Sequence, residues 1–189
     1  CAGRDEAVMP SSGAGLNALI AQCRRVEAAL AGSPDPSASV AMHRFVADMD
    51  ARRIPPGMWS PLALSVLVMT GGLGVGIEVL SLVLRAVGSA WAAFALVAVC
   101  AGTALALSIA VVMLMAGRSA GLVIVKWLAI GLVTVGGLGV IAWTQGDVRA
   151  VGPVVALLGG LGAWLEANSG GFFVFVGYRV ARRYLDLRR

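Results

Sequence analysis

The chain has 189 residues, 59% of them hydrophobic and only 13% charged, with a mean hydropathy of +0.87. Soluble domains are roughly half apolar and a quarter charged, so an ordinary water-soluble fold is excluded and one membrane domain with polar flanks is expected. The formal charge of +5 comes almost entirely from arginine, Lys126 being the one lysine, and no basic stripe interleaved with aromatics marks a nucleic-acid partner.

Residues 1–14 are small or polar and broken by Gly3, Pro10 and Gly13, which reads as a flexible arm. Cys1 stands first without a methionine, as in a fragment, a processed chain or a renumbered one. A lipid-modified Cys1 would put the N-terminus outside, against the charge distribution described below. From Gly15 to Ala31 the apolar Leu16, Leu19, Ile20, Cys23, Val26 and Leu30 recur at spacings of three and four, with Arg24, Arg25 and Glu27 off that stripe. The pattern predicts an amphipathic helix, stopped by Gly32-Ser33-Pro34-Asp35-Pro36. A second helix is expected from about Ser37, with Ala41, Phe45 and Met49 as one stripe and Arg44, Asp48 and Arg52 as a wet one. Residues 15–58 are therefore expected to form a helical hairpin, either cytoplasmic or lying on the membrane surface.

Four apolar runs follow within 59–178, each near or above the ~20 residues that span hydrocarbon. They cover about 61–87, 90–116, 122–144, and 151–166 or 151–178. The fourth is interrupted by Glu166-Ala167-Asn168-Ser169-Gly170-Gly171, and two readings compete. Either one long span is broken at mid-depth, or a short span ends near Glu166 and the following Phe- and Arg-rich segment lies along the surface. Residues 179–189 are expected to be a basic tail.

Trp59, Trp91, Trp127 and Trp143, with Arg85 and Lys126, sit near the ends of the runs, as interface anchors do. Arg44, Arg52, Arg53, Arg118, Lys126 and the five arginines from Arg179 onward fall on one side of a four-crossing topology, against Arg85 and Arg149 on the other. Both termini are therefore expected in the cytoplasm. The excess of arginine, alanine and glycine further points to a bacterial inner membrane.

No phosphate loop, nucleophile elbow or acid–base pair with histidine can be assembled, and Cys1, Cys23, Cys100 and His43 have no metal spacing. No enzyme activity, cofactor or metal is expected. The informative motif is Gly-Gly-Leu-Gly, which occurs at Gly71–Gly74, Gly136–Gly139 and Gly159–Gly162. Glycines strip away bulk and let helix backbones approach, so Gly71, Gly72, Gly74, Gly76, Gly136, Gly137, Gly139, Gly159, Gly160 and Gly162 are candidate packing positions. Gly72 and Gly76 form a small-xxx-small pair, with Gly102, Ala106 and Ala110 as their expected counterpart on the second span. A pore lining or a hinge is the other reading of these glycines.

In the first and fourth runs the motif continues to a glutamate, Glu78 and Glu166, each seven residues after its first glycine. A carboxylate inside a membrane is costly unless protonated, paired or wetted, which makes both candidates for proton or ion handling. The plainer readings are that Glu78 pairs with Arg85, two turns on, and that the span simply ends at Glu166. Ser65, Thr70, Thr103, Ser108 and Thr134 are expected to bond backbone carbonyls of their own or a neighbouring helix.

Over one helix, the glycine-rich first span leading to Glu78 resembles the small multidrug transporters and, more distantly, proteolipid rotor subunits. The sixty-residue polar N-terminal region and the placing of the loops depart from both, and no residue role carries over. The expected function is an oligomeric channel or transporter subunit handling protons or cations, with the lipid bilayer and other membrane subunits or further copies of the chain as partners. The alternatives are a structural or assembly subunit of a larger inner-membrane complex, or a pore-forming toxin or its immunity protein.

Overall fold

The computed structural model describes residues 15–31, 36–51, 57–86, 89–146 and 151–187. All regular structure there is helical, in seven helices: α1 Leu16–Ala31, α2 Pro36–Asp50, α3 Ser60–Ala86, α4 Ser89–Met115, α5 Ser119–Thr144, α6 Val151–Ala167 and α7 Gly170–Asp186. Three of them, α3, α4 and α5, are long and apolar enough to cross a membrane; the count rises to four if α6 and α7, broken at Asn168 and Ser169, make one span. The expected arm, the Gly32–Pro36 break up to Asp35, and Arg52 and Arg53 lie outside the described residues.

The chain divides into two compact units. One comprises Cys1–Pro61, Ala110–Val123 and Ala167–Arg189, the other Leu62–Ile109 and Ile124–Glu166. Helix α7 groups with α1 and α2 and runs unbroken past Tyr178 to Asp186.

In the first unit α1 and α2 both pack on α7. Of the expected α1 stripe Leu16, Leu19, Ile20 and Cys23 are buried and Val26 is partly so, the side chain of Leu30 lying outside the described ones, while Arg24 and Arg25 are exposed. On α2 the buried positions are Met42 and Met49, with Phe45 and Val46 partly covered; they join Val26, Ala181, Tyr184 and Leu185 in one apolar cluster. The face of α7 is set by Phe172, Phe173, Val176, Val180, Ala181, Tyr184 and Leu185, all buried and recurring at one, three and four residues. Ser169 caps this helix, its hydroxyl accepting from Phe172 N at 3.2 Å.

The end of α4 and the start of α5 also belong to this unit. Gly117, at φ +64°, closes α4 with bonds from its own N to Leu114 O and from Arg118 N to Met113 O, the paired pattern that a left-handed residue after a helix permits. A side chain there would meet Arg179 O at 2.9 Å, so glycine is required by both conformation and space.

The second unit is a bundle of the apolar helices. Its α3 and α6 run antiparallel in a tight register: a Cβ on Gly159 would stand 2.5 Å from Gly71 Cα, one on Gly74 would stand 2.4 Å from Ala156 N, and one on Gly162 would meet Leu67. Helix backbones come this close only where side chains are absent, which is how packing is achieved without a hydrophobic driving force between helices in lipid. The three glycine motifs serve different neighbours. Gly74 faces α6, Gly71 faces both Leu132 of α5 and Gly160 of α6, and Gly159 and Gly162 face α3; Gly136 and Gly139 also face α6, at Leu157 and Pro153; Gly160 faces Val133 of α5. Gly72 and Gly76 face α4, but against Thr103, Leu96 and Cys100; Gly102 and Gly137 have nothing within 4 Å.

Candidate functional site

Glu78 is the buried charged residue of the second unit, at 9% exposure. It lies on α3 one turn beyond Gly74, where the antiparallel register brings in the first turn of α6. A Cβ on Gly152 would stand 3.1 Å from Glu78 N and 3.2 Å from Glu78 Oε2. Glycine at 152 is therefore what lets the start of α6 reach the carboxylate. Because α6 begins at Val151, opposite Val79 in this register, the last two turns of α3 continue past it.

The space left beside those turns is a cleft of about 510 Å³, lined by Glu78, Ser81, Arg85, Leu84, Val151 and Gly152 together with Ile77 and Leu80. Ser81 Oγ donates to the Glu78 carbonyl at 2.8 Å, so its hydroxyl is held against the α3 backbone. Among the described residues the Glu78 carboxylate makes no hydrogen bond and no ion pair within 4 Å. Arg85, the partner that its spacing proposes, borders the same cleft.

The other candidates fall elsewhere. In the α3–α6 register Glu166 lies opposite Leu64, fourteen residues from Glu78 along α3, or about 21 Å of helix axis. The two carboxylates are thus not brought together. Trp59, Trp91, Trp127 and Trp143 are all exposed, with Trp91 edge-on to Phe94 and Lys126 Nζ 6.0 Å from the Trp127 ring centre. Thr103 and Ser108 donate to the carbonyls of Val99 and Ala104, four residues back on their own helix. A second, smaller hollow of about 240 Å³ runs between α5 and α6 past Thr134 and Trp164 and is almost wholly apolar.

The first unit holds a polar network that residue spacing does not reveal. Glu27 is not a solvated charge: its Oε1 accepts from Ser119 N at 2.8 Å and its Oε2 from Ser119 Oγ at 2.5 Å, so α1 supplies the cap of α5. Arg183 of α7 pairs with Glu27 at 3.5 Å and donates to Gly117 O at 3.2 Å, placing a cation at the end of α4. Asn168 Oδ1 accepts from Leu16 N at 2.9 Å and caps α1 in turn. Tyr178 donates to Asp50 at 2.7 Å, with Arg182 beside both. Burial, with a smaller contribution from the Glu27 charge, pushes the Cys23 thiol up to about 12, which leaves it an inert core group at neutral pH. Among the described residues no cluster of three His, Cys, Asp or Glu side chains is placed to hold a metal ion.

Set against known proteins, the chain matches no family model, no curated protein and no solved structure.

Proposed function

We propose that the protein is an integral membrane channel or transporter subunit in which Glu78 takes up and releases a proton or cation. The reading rests on one observation: a glutamate of an apolar helix, 9% exposed as a residue, borders a cleft. Such a group in a low-dielectric setting is costly to keep, and its usual justification is a pathway for ions or protons. Glu166 is not needed in the same step, since the register sets it far down the helix pair.

In this proposal α3, α4, α5 and a fourth span, α6 alone or α6 continued into α7, cross a bacterial inner membrane. The basic excess at Arg118 and along α7 marks the cytoplasmic side, with both termini there. The exposed apolar face of α4, with Phe94, Val97, Leu105 and Val112, is open to lipid or to another copy of the chain in an oligomer.

The test is flux. Purified protein in liposomes should pass protons or monovalent cations, Glu78→Gln should cut the rate at least tenfold, and Glu166→Gln should leave most of it. Wild-type liposomes no leakier than empty ones, or a Glu78→Gln variant as fast as wild type, would refute the proposal.

A further inference from the structure

In the first unit, Arg179 of α7 is held where that helix meets the end of α4. Its Nη2 donates to Met115 Sδ at 2.8 Å, its guanidinium lies 5.9 Å from the Phe175 ring centre, and its Nε is buried with no hydrogen-bond partner. A thioether is a weak acceptor and an aromatic ring offers only its face, so a full cation is kept here among apolar groups. Burying part of a guanidinium without an acceptor is costly, and an anion from outside the chain would offset that cost.

A second cation belongs to the same crossing. Arg118 follows Met115 in the turn closed by Gly117, and a Cβ on Gly117 would meet Arg179 O at 2.9 Å. Arg118 is exposed, and among the described residues neither it nor Arg179 forms an ion pair. The carboxylate at this crossing, Glu27, is already engaged by Ser119 and Arg183. Apolar surface runs up to the two arginines. Val112 and Met115, one turn apart on α4, are 67% and 48% exposed.

Two unpaired guanidiniums above an exposed apolar strip match the two halves of one amphiphile. A guanidinium fork takes two phosphate oxygens at once, and basic pockets at the ends of membrane helices suit anionic headgroups. A soluble anion would engage the arginines and leave the strip uncovered. We propose that Arg179 and Arg118 hold the phosphate of an anionic phospholipid whose acyl chain lies along Met115 and Val112. The site is separate from Glu78 and does not depend on any transport role for it.

The experiment is native mass spectrometry of the full chain released from detergent, with phosphatidylglycerol and phosphatidylcholine of the same acyl chains in competition. Phosphatidylglycerol should be retained at least fivefold over phosphatidylcholine. Arg179→Gln and Arg118→Gln should each bring that preference below twofold. Arg118 is exposed, so its variant should keep the wild-type melting temperature in lipid-free detergent and carries the test even if Arg179→Gln disturbs the fold. Arg44→Gln removes the same charge from an exposed position of α2 and should leave the preference intact. Val112→Asn keeps both arginines and should weaken retention at least threefold. Glycerol phosphate and inorganic phosphate at a hundredfold excess, which carry the charge without the chains, should fail to displace the lipid. The proposal is overturned if the two lipids are retained equally, if Arg44→Gln costs as much as Arg118→Gln, so that the attraction is diffuse charge, or if glycerol phosphate or inorganic phosphate displaces the lipid, so that the occupant is a soluble anion. Glu78→Gln should retain phosphatidylglycerol as the wild type does, so failure of the flux test and failure of this one are distinguishable.

Discussion

Alanine at position 159 tests the packing of α3 on α6 directly. Its methyl group would stand 2.5 Å from both Cα and N of Gly71 and 2.8 Å from Leu67 O. Carbon contacts settle at about 3.5–4.0 Å, so the helices must part by roughly 1 Å. The obstruction is backbone and cannot rotate aside. Overpacking of this kind costs about 1–3 kcal/mol, against which alanine gains about 1 kcal/mol over glycine in a helix interior. Taking the upper part of the overpacking range, Gly159→Ala should lose about 1–2 kcal/mol. The control is Gly137→Ala, the same exchange in the same motif at a position with nothing within 4 Å; only propensity acts there, giving a gain of up to about 1 kcal/mol. Reversible unfolding in mixed micelles, followed by circular dichroism against added sodium dodecyl sulfate, reads both. Equal effects from the two variants, or a stabilised Gly159→Ala, would refute the assignment of α3 and α6 as a backbone-to-backbone contact.

Glu27→Ala removes both acceptors of Ser119 and the partner of Arg183 and should cost about 1–3 kcal/mol, whereas the exposed Arg24→Ala should stay within about 0.5 kcal/mol; thermal melts in detergent compare them. Gly117→Ala forces a side chain into φ +64° and against Arg179 O, so its unfolding midpoint should fall by the equivalent of about 1–3 kcal/mol. Burial raises the Cys23 thiol from its ordinary value of 9.0 to about 12. The folded state therefore holds this proton more tightly than the unfolded chain, and the stability present below pH 9 is lost progressively as pH rises toward 12. Maleimide at pH 7.5 should label Cys23 slowly in native protein and rapidly after denaturation; fast native labelling would contradict the burial.

Much of this architecture is legible in the sequence because membrane helices announce themselves by length and apolarity. The first three runs fall within three residues of α3, α4 and α5, and the irregularity at Glu166–Gly171 marks the real break between α6 and α7. The α1 stripe is equally plain, since a period of 3.6 and a run of buried leucines say the same thing. On α2 the expected stripe holds at Met49 and in part at Phe45, Met42 and Val46 widen it, and the side chain of Ala41 lies outside the described ones. The glycine motif is visible but its meaning is not: adjacent glycines point about 100° apart on a helix, so Gly136 meets Leu157 while Gly137 meets nothing. The caps are invisible altogether. Glu27 and Ser119 are 92 residues apart, and Asn168 and Leu16 are 152 apart; each looks like an ordinary surface residue until the fold closes. Glu78 is picked out by its setting in an apolar run, whereas the cleft beside it exists only because α6 starts two turns short of the end of α3.

The capping of α1 also sets an order of events. This helix precedes the groups that it meets: Ser119, which its Glu27 caps, Asn168, which caps it, and Arg183, which pairs with Glu27. Until the ribosome has passed them, the amphipathic α1 must wait with Leu16, Leu19, Ile20 and Cys23 uncovered, exposed to lipid surface or to a chaperone. Docking of α1 thus has to await the synthesis of Asn168 and Arg183. A product cut short before Asn168 would carry that uncovered stripe and would be recognisable by it.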